Sequence, residues 1–381
     1  MNESRSDACS IPGSPQTLLQ FGTGRFLRAF VDLFVHELNQ AGAPRAEVVV
    51  VQSTGSDRAA QLTAAGGRHH VAIRGLEHGL RVDRMVEVAS VCRALSAQND
   101  WPIVVDAARW PSLAAVVSNT TEAGYALDPR DEPGDAPPRS FPAKLLAVLA
   151  ARFDAGLPGL AILPCELLEH NAQRLRRLVL EQAARWRLSR PLVDWLADAC
   201  AWCDTLVDRI VSAPRADDPM AASDPLFAVA EPFALWLVES KDVPVFVSHP
   251  AVRSANALEP YYLRKVRILN GAHTALVAKA MPLGFKTVRE AMLDPAVGRW
   301  LEQLLFEEIV PTLEGRTDQP EGFARQCLER LANPFLEHRL ADIALAHETK
   351  LRTRLAPTYD EFRARFGREP KLLGAILRRS G

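Results

Sequence analysis

The sequence predicts an α/β protein, with a mainly parallel β-sheet domain over residues 1–255 followed by an α-helical domain over residues 256–381. Three observations carry this expectation. First, "TLLQF", a glycine turn, an amphipathic helical pattern and "AEVVVVQS" follow one another, and a right-handed crossover makes the two flanking strands parallel. Second, short apolar runs of strand length recur to about residue 240. Third, the pattern beyond residue 256 is helical without convincing strands. A length of 381 residues suits two domains of ~100–200 residues each.

Taken in order, residues 17–21 form a short β-prone run that ends at Gly22. Phe26, Phe30, Leu33, Phe34 and Leu38 then make one stripe of a helix over 25–42, closed by Gly42 and Pro44. Residues 46–53 are continuously apolar, as expected of a parallel strand covered on both faces. Further strands are expected at 84–91, 114–119 and 159–164, and in "TLVDRIVSA" and "FALWLVES". The Pro-rich, charged stretch 128–140 reads as an exposed loop, and "FPAKLLAVLAARFDAG" as the helix after it.

Composition excludes several classes. With 45 basic against 46 acidic side chains, the chain offers no electrostatic footing for nucleic acid or an anionic membrane. No run approaches ~18 apolar residues. The first fifteen residues are polar and lack the apolar core of a signal peptide, so the expectation is a cytoplasmic protein, monomeric by default. Six scattered cysteines include only one close pair, Cys200 and Cys203 in "CAWC". Read as neighbours on a helix, they are reduced, partly buried thiols rather than a zinc site.

Gly22 and Gly24 stand where the first strand gives way to a helix. Glycine there permits a tight turn and lets backbone N–H groups approach a pyrophosphate, which would make the first domain Rossmann-like, and a plain loop that holds two glycines is the other reading. Leu27 replaces the third glycine of the usual pattern, so position in the strand–turn–helix carries more weight than the glycines themselves. The cofactor-binding set expected from this region is Phe21, Gly22, Gly24, Arg25, Phe26 and Thr54. No acid stands at the tip of the second strand; Asp57 is the nearest carboxylate, and Arg58 would suit a 2′-phosphate instead.

The other chemically loaded stretch is "KVRILNGAH", residues 265–273, in a helix apolar on nearly every side. Such a helix is buried, so Lys265, Asn270 and His273 border a buried region where unpartnered polar groups are costly. At about 100° per residue, Lys265 and His273 fall roughly 80° apart with Asn270 beyond. Gly271 and Ala272 would leave room for a flat ligand. On spacing alone, a satisfied core histidine, a capping asparagine and a surface lysine are the more ordinary account.

The pattern Lys-x-x-x-x-Asn-x-x-His resembles the signature of the polyol-specific long-chain dehydrogenases, the mannitol dehydrogenase family. "FGTGRFLRAF", "VSNTTEAGY", "LPCELLEHN", "TLVDRIV", "NGAHTALVAKAMPLGFKTVREAMLDP" and "NPFLEHRLADIALAHETKLRTRLAPT" resemble blocks of that family in the same order. Their wording is most similar to its tagaturonate reductase (altronate oxidoreductase) branch.

The resemblance implies NAD, with NADP the alternative, no metal, and a sugar acid or polyol as the small-molecule partner. Lys265 is then the acid/base. Asn270 and Asn171 donate to the substrate oxygen, and His273 holds a neighbouring hydroxyl. Asn119 and Thr120 bind cofactor, and Glu122 lies at the substrate. Lys350 and Arg354, four apart, would grip a substrate carboxylate, although two such cations on a helix are often merely solvated. Asp204 stands where relatives usually carry Asn; facing the substrate, it would repel a sugar acid. A mannitol- or arabinitol-type polyol 2-dehydrogenase and a catalytically inactive dinucleotide-binding sensor are the competing readings.

Overall fold

The computed structural model describes residues 16–42, 46–120, 122–240, 248–335 and 338–379. The polar N-terminal fifteen residues, Pro44 and the side chain of Glu122 lie outside the described parts. By internal contacts the chain forms two compact units. The first comprises Met1–Ala72, Met85–Ala228 and Ala234–Leu258; the second comprises Ile73–Arg84, Val229–Phe233 and Glu259–Gly381.

The strands are β1 (Gln16–Phe21), β2 (Ala46–Gln52), β3 (His69–Glu77), β4 (Leu80–Val88), β5 (Val91–Ser96), β6 (Leu113–Ser118) and β7 (Ala161–Pro164). They continue with β8 (Ala201–Trp202), β9 (Thr205–Asp208), β10 (Val211–Ser212), β11 (Ala228–Ala230), β12 (Leu235–Val238) and β13 (Val252–Ser254). The main sheet has the order β5-β2-β1-β6-β7-β8, every pair parallel. Counting only its own strands, this is the doubly wound order 3-2-1-4-5-6, which reverses between β1 and β6. The carboxyl ends of those two strands therefore flank the crevice where such sheets bind ligands.

Alternation along the strands explains why the sheet is covered on both faces. Leu18, Val48, Val50 and Val117 face one core with Phe30, Phe34 and Leu38. Leu19, Phe21, Val49, Val51 and Val116 face the other, with Val104, Leu145, Leu149 and Leu175. Each such side chain contributes ~1.5–3 kcal/mol on burial, and neither face of β1 or β2 could tolerate a register slip.

Three expectations need correcting, and a fourth needs placing. The helix expected over 25–42 breaks at Ala29–Phe30 into Arg25–Arg28 and Val31–Gln40, because Phe30 leaves helical geometry with φ −132° and ψ −87°. The strand expected at 84–91 is two strands: β4, exposed along most of its length, pairs with the largely buried β3, and β5 joins the parallel sheet. The two residues between β3 and β4, His78 and Gly79, both have positive φ, as a type I′ hairpin turn requires. "TLVDRIVSA" and "FALWLVES" do hold strands as expected, but outside the main sheet: β9 and β12 lie in a three-stranded sheet, order β13-β12-β9, and β10 in the four-stranded sheet β10-β11-β3-β4. Finally, "CAWC" is no helix: its middle residues are β8, hydrogen-bonded beside β7, which buries both flanking cysteines as free thiols.

From Glu259 onward the described residues of the second unit are helical, around a core that includes Ile268, Leu276, Leu301, Leu304, Ile309, Leu313, Leu351 and Leu355, while its segments Ile73–Arg84 and Val229–Phe233 carry parts of β3, β4 and β11. Three of its turns, Lys265–Asn270, Leu304–Ile309 and Leu351–Leu355, are π-helical. They meet at Gly271, where a Cβ would lie 3.4 Å from Leu355 Cδ2 and 4.0 Å from Ile309 Cδ1. Gly271 thus lets helices approach, rather than opening a space for a flat ligand. Glu231 and Arg330 fasten Val229–Phe233 to the Pro320–Leu331 helix through a buried bidentate pair at 2.8 and 2.9 Å. The Arg330 guanidinium lies 4.3 Å from the centre of the Phe233 ring.

Candidate functional site

At the carboxyl end of β1, Gly22 has φ +136°, and a Cβ on it would sit 2.9 Å from Leu27 Cδ1 and 3.2 Å from the Asn119 carbonyl oxygen. No other residue suits that position. Gly24 initiates the Arg25–Arg28 turn, and a Cβ there would meet nothing within 4 Å. A bound group can therefore approach this backbone closely, which is the feature a dinucleotide pyrophosphate needs. Arg25 is exposed at the turn and Phe26 stacks on Phe30 at 4.7 Å. The Phe21 side chain belongs to the core, edge-on to Phe141 at 5.3 Å, and offers no surface to a cofactor.

After β2, the exposed Thr54 gives its carbonyl to Gln52 Nε2, which also donates to Asp57 Oδ1 at 2.7 Å. That hydrogen bond holds the Asp57 carboxyl below the usual carboxylate range. Asp57 opens the Asp57–Ala64 helix, so its charge is also favoured by the helix dipole.

The ends of β6 and β7 are tied together by a residue that sequence reasoning missed. Glu166 is 3% exposed and accepts from Ser118 Oγ (3.1 Å), Thr120 N (2.8 Å), Thr120 Oγ1 (3.1 Å) and Tyr125 OH (3.2 Å). Burial pushes its carboxyl above its ordinary value, while those hydrogen bonds pull it back. Asn119 Nδ2 donates to the Cys165 carbonyl at 2.8 Å. Asn119 and Thr120 thus stand at the sheet's switch point, fixed from beneath. The available signal was an acid directly after an apolar strand, in "ILPCE".

Two expected substrate groups in the first unit have other work. Asn171 is fully buried, and its Nδ2 donates to the carbonyls of Pro164, Thr205 and Glu166 at 3.0–3.1 Å. Its Oδ1 accepts from Thr205 N at 2.9 Å. With both ends of the carboxamide used, Asn171 pins two loops together and is not a free donor to a substrate oxygen. Asp204 is 6% exposed, and its Oδ1 accepts from Ala172 N (2.8 Å) and Gln173 N (3.1 Å) at the start of the Asn171–Arg185 helix. The carboxylate caps a helix whose own N-cap residue, His170, supplies no cap. Asp204 Oδ2 lies 3.4 Å from His170 Nδ1, so both carboxylate oxygens meet groups of the chain itself.

In the second unit, the signature residues occupy the π-turn and the helix that follows. A wheel drawn at 3.6 residues per turn misplaces Lys265 relative to His273, because hydrogen bonds from Lys265 to Asn270 run i to i+5. Lys265 and Asn270 are half-buried, and the Asn270 carboxamide makes no hydrogen bond among the described residues. His273 is buried, with Nδ1 2.9 Å from the Leu269 carbonyl. Nδ1 must be the donor, leaving the Nε2 lone pair buried without a partner. Burial pushes the imidazole down to about 3, with His338 and the cations Arg330 and Arg354 adding to the shift. It is neutral at physiological pH.

Arg354 Nη1 lies 3.4 Å from the hydroxyl of Thr274, the residue after His273. Lys350 donates to the Ile343 carbonyl at 2.7 Å, and burial together with Arg354 lowers its pKa. Arg354 thus lies near both Lys350 and His273. The His338 ring, unnoticed in the sequence, sits 4.9 Å from that of His273, edge to face. Among the described residues no group of three or more His, Cys, Asp or Glu could hold a metal ion, and no helix is long and apolar enough to cross a membrane.

Comparison with known proteins follows this geometry. Residues 16–246 match the model of the mannitol dehydrogenase Rossmann domain, and residues 257–376 that of the mannitol dehydrogenase C-terminal domain. The chain is 36% identical over 374 residues to altronate oxidoreductase of Bacillus subtilis strain 168, covering 94% of this chain and 78% of the relative. It is 39% identical over 382 residues to the altronate oxidoreductase of Pectobacterium atrosepticum, covering 95% and 78%. Among solved structures it resembles a substrate-free D-sorbitol dehydrogenase (TM-score 0.81, 22% identity, 97% of this chain and 79% of that one). It also resembles Pseudomonas fluorescens mannitol 2-dehydrogenase in a ternary complex with NAD and D-mannitol (TM-score 0.78, 21% identity, 98% and 79%). Those two likenesses establish the fold.

Proposed function

The chain belongs to the mannitol dehydrogenase family, and on that premise we propose that it is an NAD-dependent oxidoreductase interconverting an open-chain keto-sugar acid and its hydroxy form, tagaturonate and altronate first. The altronate oxidoreductases that match over most of its length support this substrate class. The observation that carries it is Arg354, whose guanidinium reaches Thr274 and so places a cation beside the histidine that would bind the sugar. A uronate needs such a cation; a neutral ketose does not.

The residues present fit the cofactor. Gly22 and Gly24 leave the turn open to a pyrophosphate, and the ionised Asp57 near the end of β2 suits a ribose hydroxyl and opposes a 2′-phosphate, which favours NAD over NADP. When bound, the nicotinamide supplies or accepts the hydride. Glu166 holds Thr120 and Ser118 rigid at the strand ends. In the reducing direction, Lys265 would give a proton to the carbonyl oxygen and recover it in the reverse reaction. The unengaged Asn270 carboxamide would donate to that oxygen as it becomes alkoxide-like. The His273 Nε2 lone pair would accept from an adjacent hydroxyl, and Arg354 with Lys350 would hold the carboxylate.

The test is the loss of NADH or NADPH absorbance with tagaturonate, fructuronate, fructose and fructose 6-phosphate. Turnover of a uronate with NADH is expected. Arg354→Ala and Lys350→Ala should each raise KM for the acid ~10–100-fold, the range of a lost charge-assisted hydrogen bond, and affect neutral ketoses far less. Equal losses on acids and neutral sugars would defeat the sugar-acid reading and move the protein to the polyol 2-dehydrogenase branch.

A further inference from the structure

We propose that His338 is a second substrate-facing imidazole, the residue that selects the configuration of the hydroxyl next to the one bound at His273; this rests on reading His273 as a substrate residue. The two ring centres are 4.9 Å apart at an interplanar angle of 61°, edge to face, so a group that reaches one ring lies next to the other. His273 is locked as an acceptor there. Its Nδ1 hydrogen is fixed on the Leu269 carbonyl and its Nε2 is buried without a donor. A buried acceptor left in that state is costly unless a ligand supplies the missing hydrogen.

His338 is held as rigidly by its main chain. Its carbonyl accepts from Val288 N at 2.9 Å, Arg339 forms an antiparallel bridge with Thr287, and Leu340 N donates to the Lys286 carbonyl at 2.9 Å. The ring is thus carried on a two-segment clamp, yet its nitrogens make no hydrogen bond among the described residues. Burial lowers its pKa and Asp342 raises it again. A neutral imidazole carries one donor and one acceptor.

Two imidazoles fixed edge to face can bind hydroxyls on adjacent carbons of an open-chain sugar. A hydroxyl on the second carbon points toward His338 in one configuration and away in the other. The main-chain bonds at His338 and at the two residues after it hold the point from which the ring is carried, which limits how far the ring can follow that hydroxyl. The discrimination expected from one hydrogen bond made or left unmade is about tenfold.

The experiment compares wild type with His338→Ala and His338→Gln on tagaturonate and fructuronate, which differ at one hydroxyl-bearing carbon, and on tagatose and fructose, which differ likewise. In His338→Ala the ratio of kcat/KM between the two members of a pair should shift about tenfold toward one, mainly through KM, and His338→Gln should restore part of the preference. A thermal midpoint close to wild type would show that the ring is not merely packing. An unchanged ratio, whether or not overall activity falls, overturns the proposal. If the wild type turns over only the neutral pair, the sugar-acid reading fails while His338 is judged on that pair. Silence of the wild type on all four substrates overturns both.

Discussion

Asn171 and Asn270 are the same residue type in two settings, and the contrast separates polar groups that hold this fold from polar groups that lack a partner until a ligand arrives. Asn171 is fully buried at the end of the parallel sheet and every hydrogen-bonding site named above has a partner in the chain. Asn270 stands half-buried on a π-turn with its carboxamide unengaged among the described residues. The same division runs through their neighbours. Asp204 Oδ1 and both Glu166 oxygens are filled by N–H and O–H donors, whereas His273 keeps a buried acceptor empty. Native interiors rarely leave buried polar atoms unpaired; His273 Nε2 shares that state with atoms far from the signature residues, Asp32 Oδ1 and Gln182 Oε1 among them, so the contrast becomes a statement about substrate only through the variants below.

The largest expected effect tests the second setting. Lys265→Ala should lower kcat ~10²–10⁴-fold, the usual worth of general acid–base catalysis, with dinucleotide binding by fluorescence titration retained. Unchanged turnover would remove Lys265 from the reaction. The two asparagines sharpen the contrast. Asn171→Ala strands the Thr205 N–H and several carbonyls in the interior, and should lower stability by ~1–3 kcal/mol in urea unfolding. Asn270→Ala should leave stability within about 0.5 kcal/mol and lower kcat ~10²–10³-fold, as loss of an oxyanion donor does. The opposite pattern, a stable but slow Asn171→Ala enzyme and an unstable Asn270→Ala one, would break the division.

Much of the architecture was legible because its signals are local. The continuous apolar run of β2, the alternation behind the two cores and the Gly22 turn follow from strand period and the conformational freedom of glycine. What the sequence hid was non-local or irregular. β8 is two residues long and exists only because β7 offers it a parallel edge, so "CAWC" carries too little pattern to be read as a strand. The π-turn at Lys265–Asn270 breaks the 3.6-residue period on which a helical wheel depends, while its packing against the other two π-turns around Gly271 is set by residues up to ~90 positions away in sequence. Residue types at the site were readable; whether each was filled was not, since that depends on partners such as Thr205 for Asn171 and Leu269 for His273.

Asp204 gives the smallest and most discriminating effect. Its carboxylate accepts from two N–H groups at the start of the Asn171–Arg185 helix. A carboxylate there is favoured by the dipole by ~0.3–1 kcal/mol, with larger values for partly buried geometries. Asn is an equally good cap in hydrogen-bonding terms, and it escapes the cost of burying a charge. Asp204→Asn should therefore change stability by less than about 1 kcal/mol, since the lost dipole attraction and the relieved desolvation oppose each other. The ratio of KM for an acid to KM for a neutral ketose should stay at its wild-type value. A selective fall in KM for the acid would mean that the carboxylate faces the substrate after all, and the division between filled and empty polar groups would then fail at the residue where it overrules the sequence most directly.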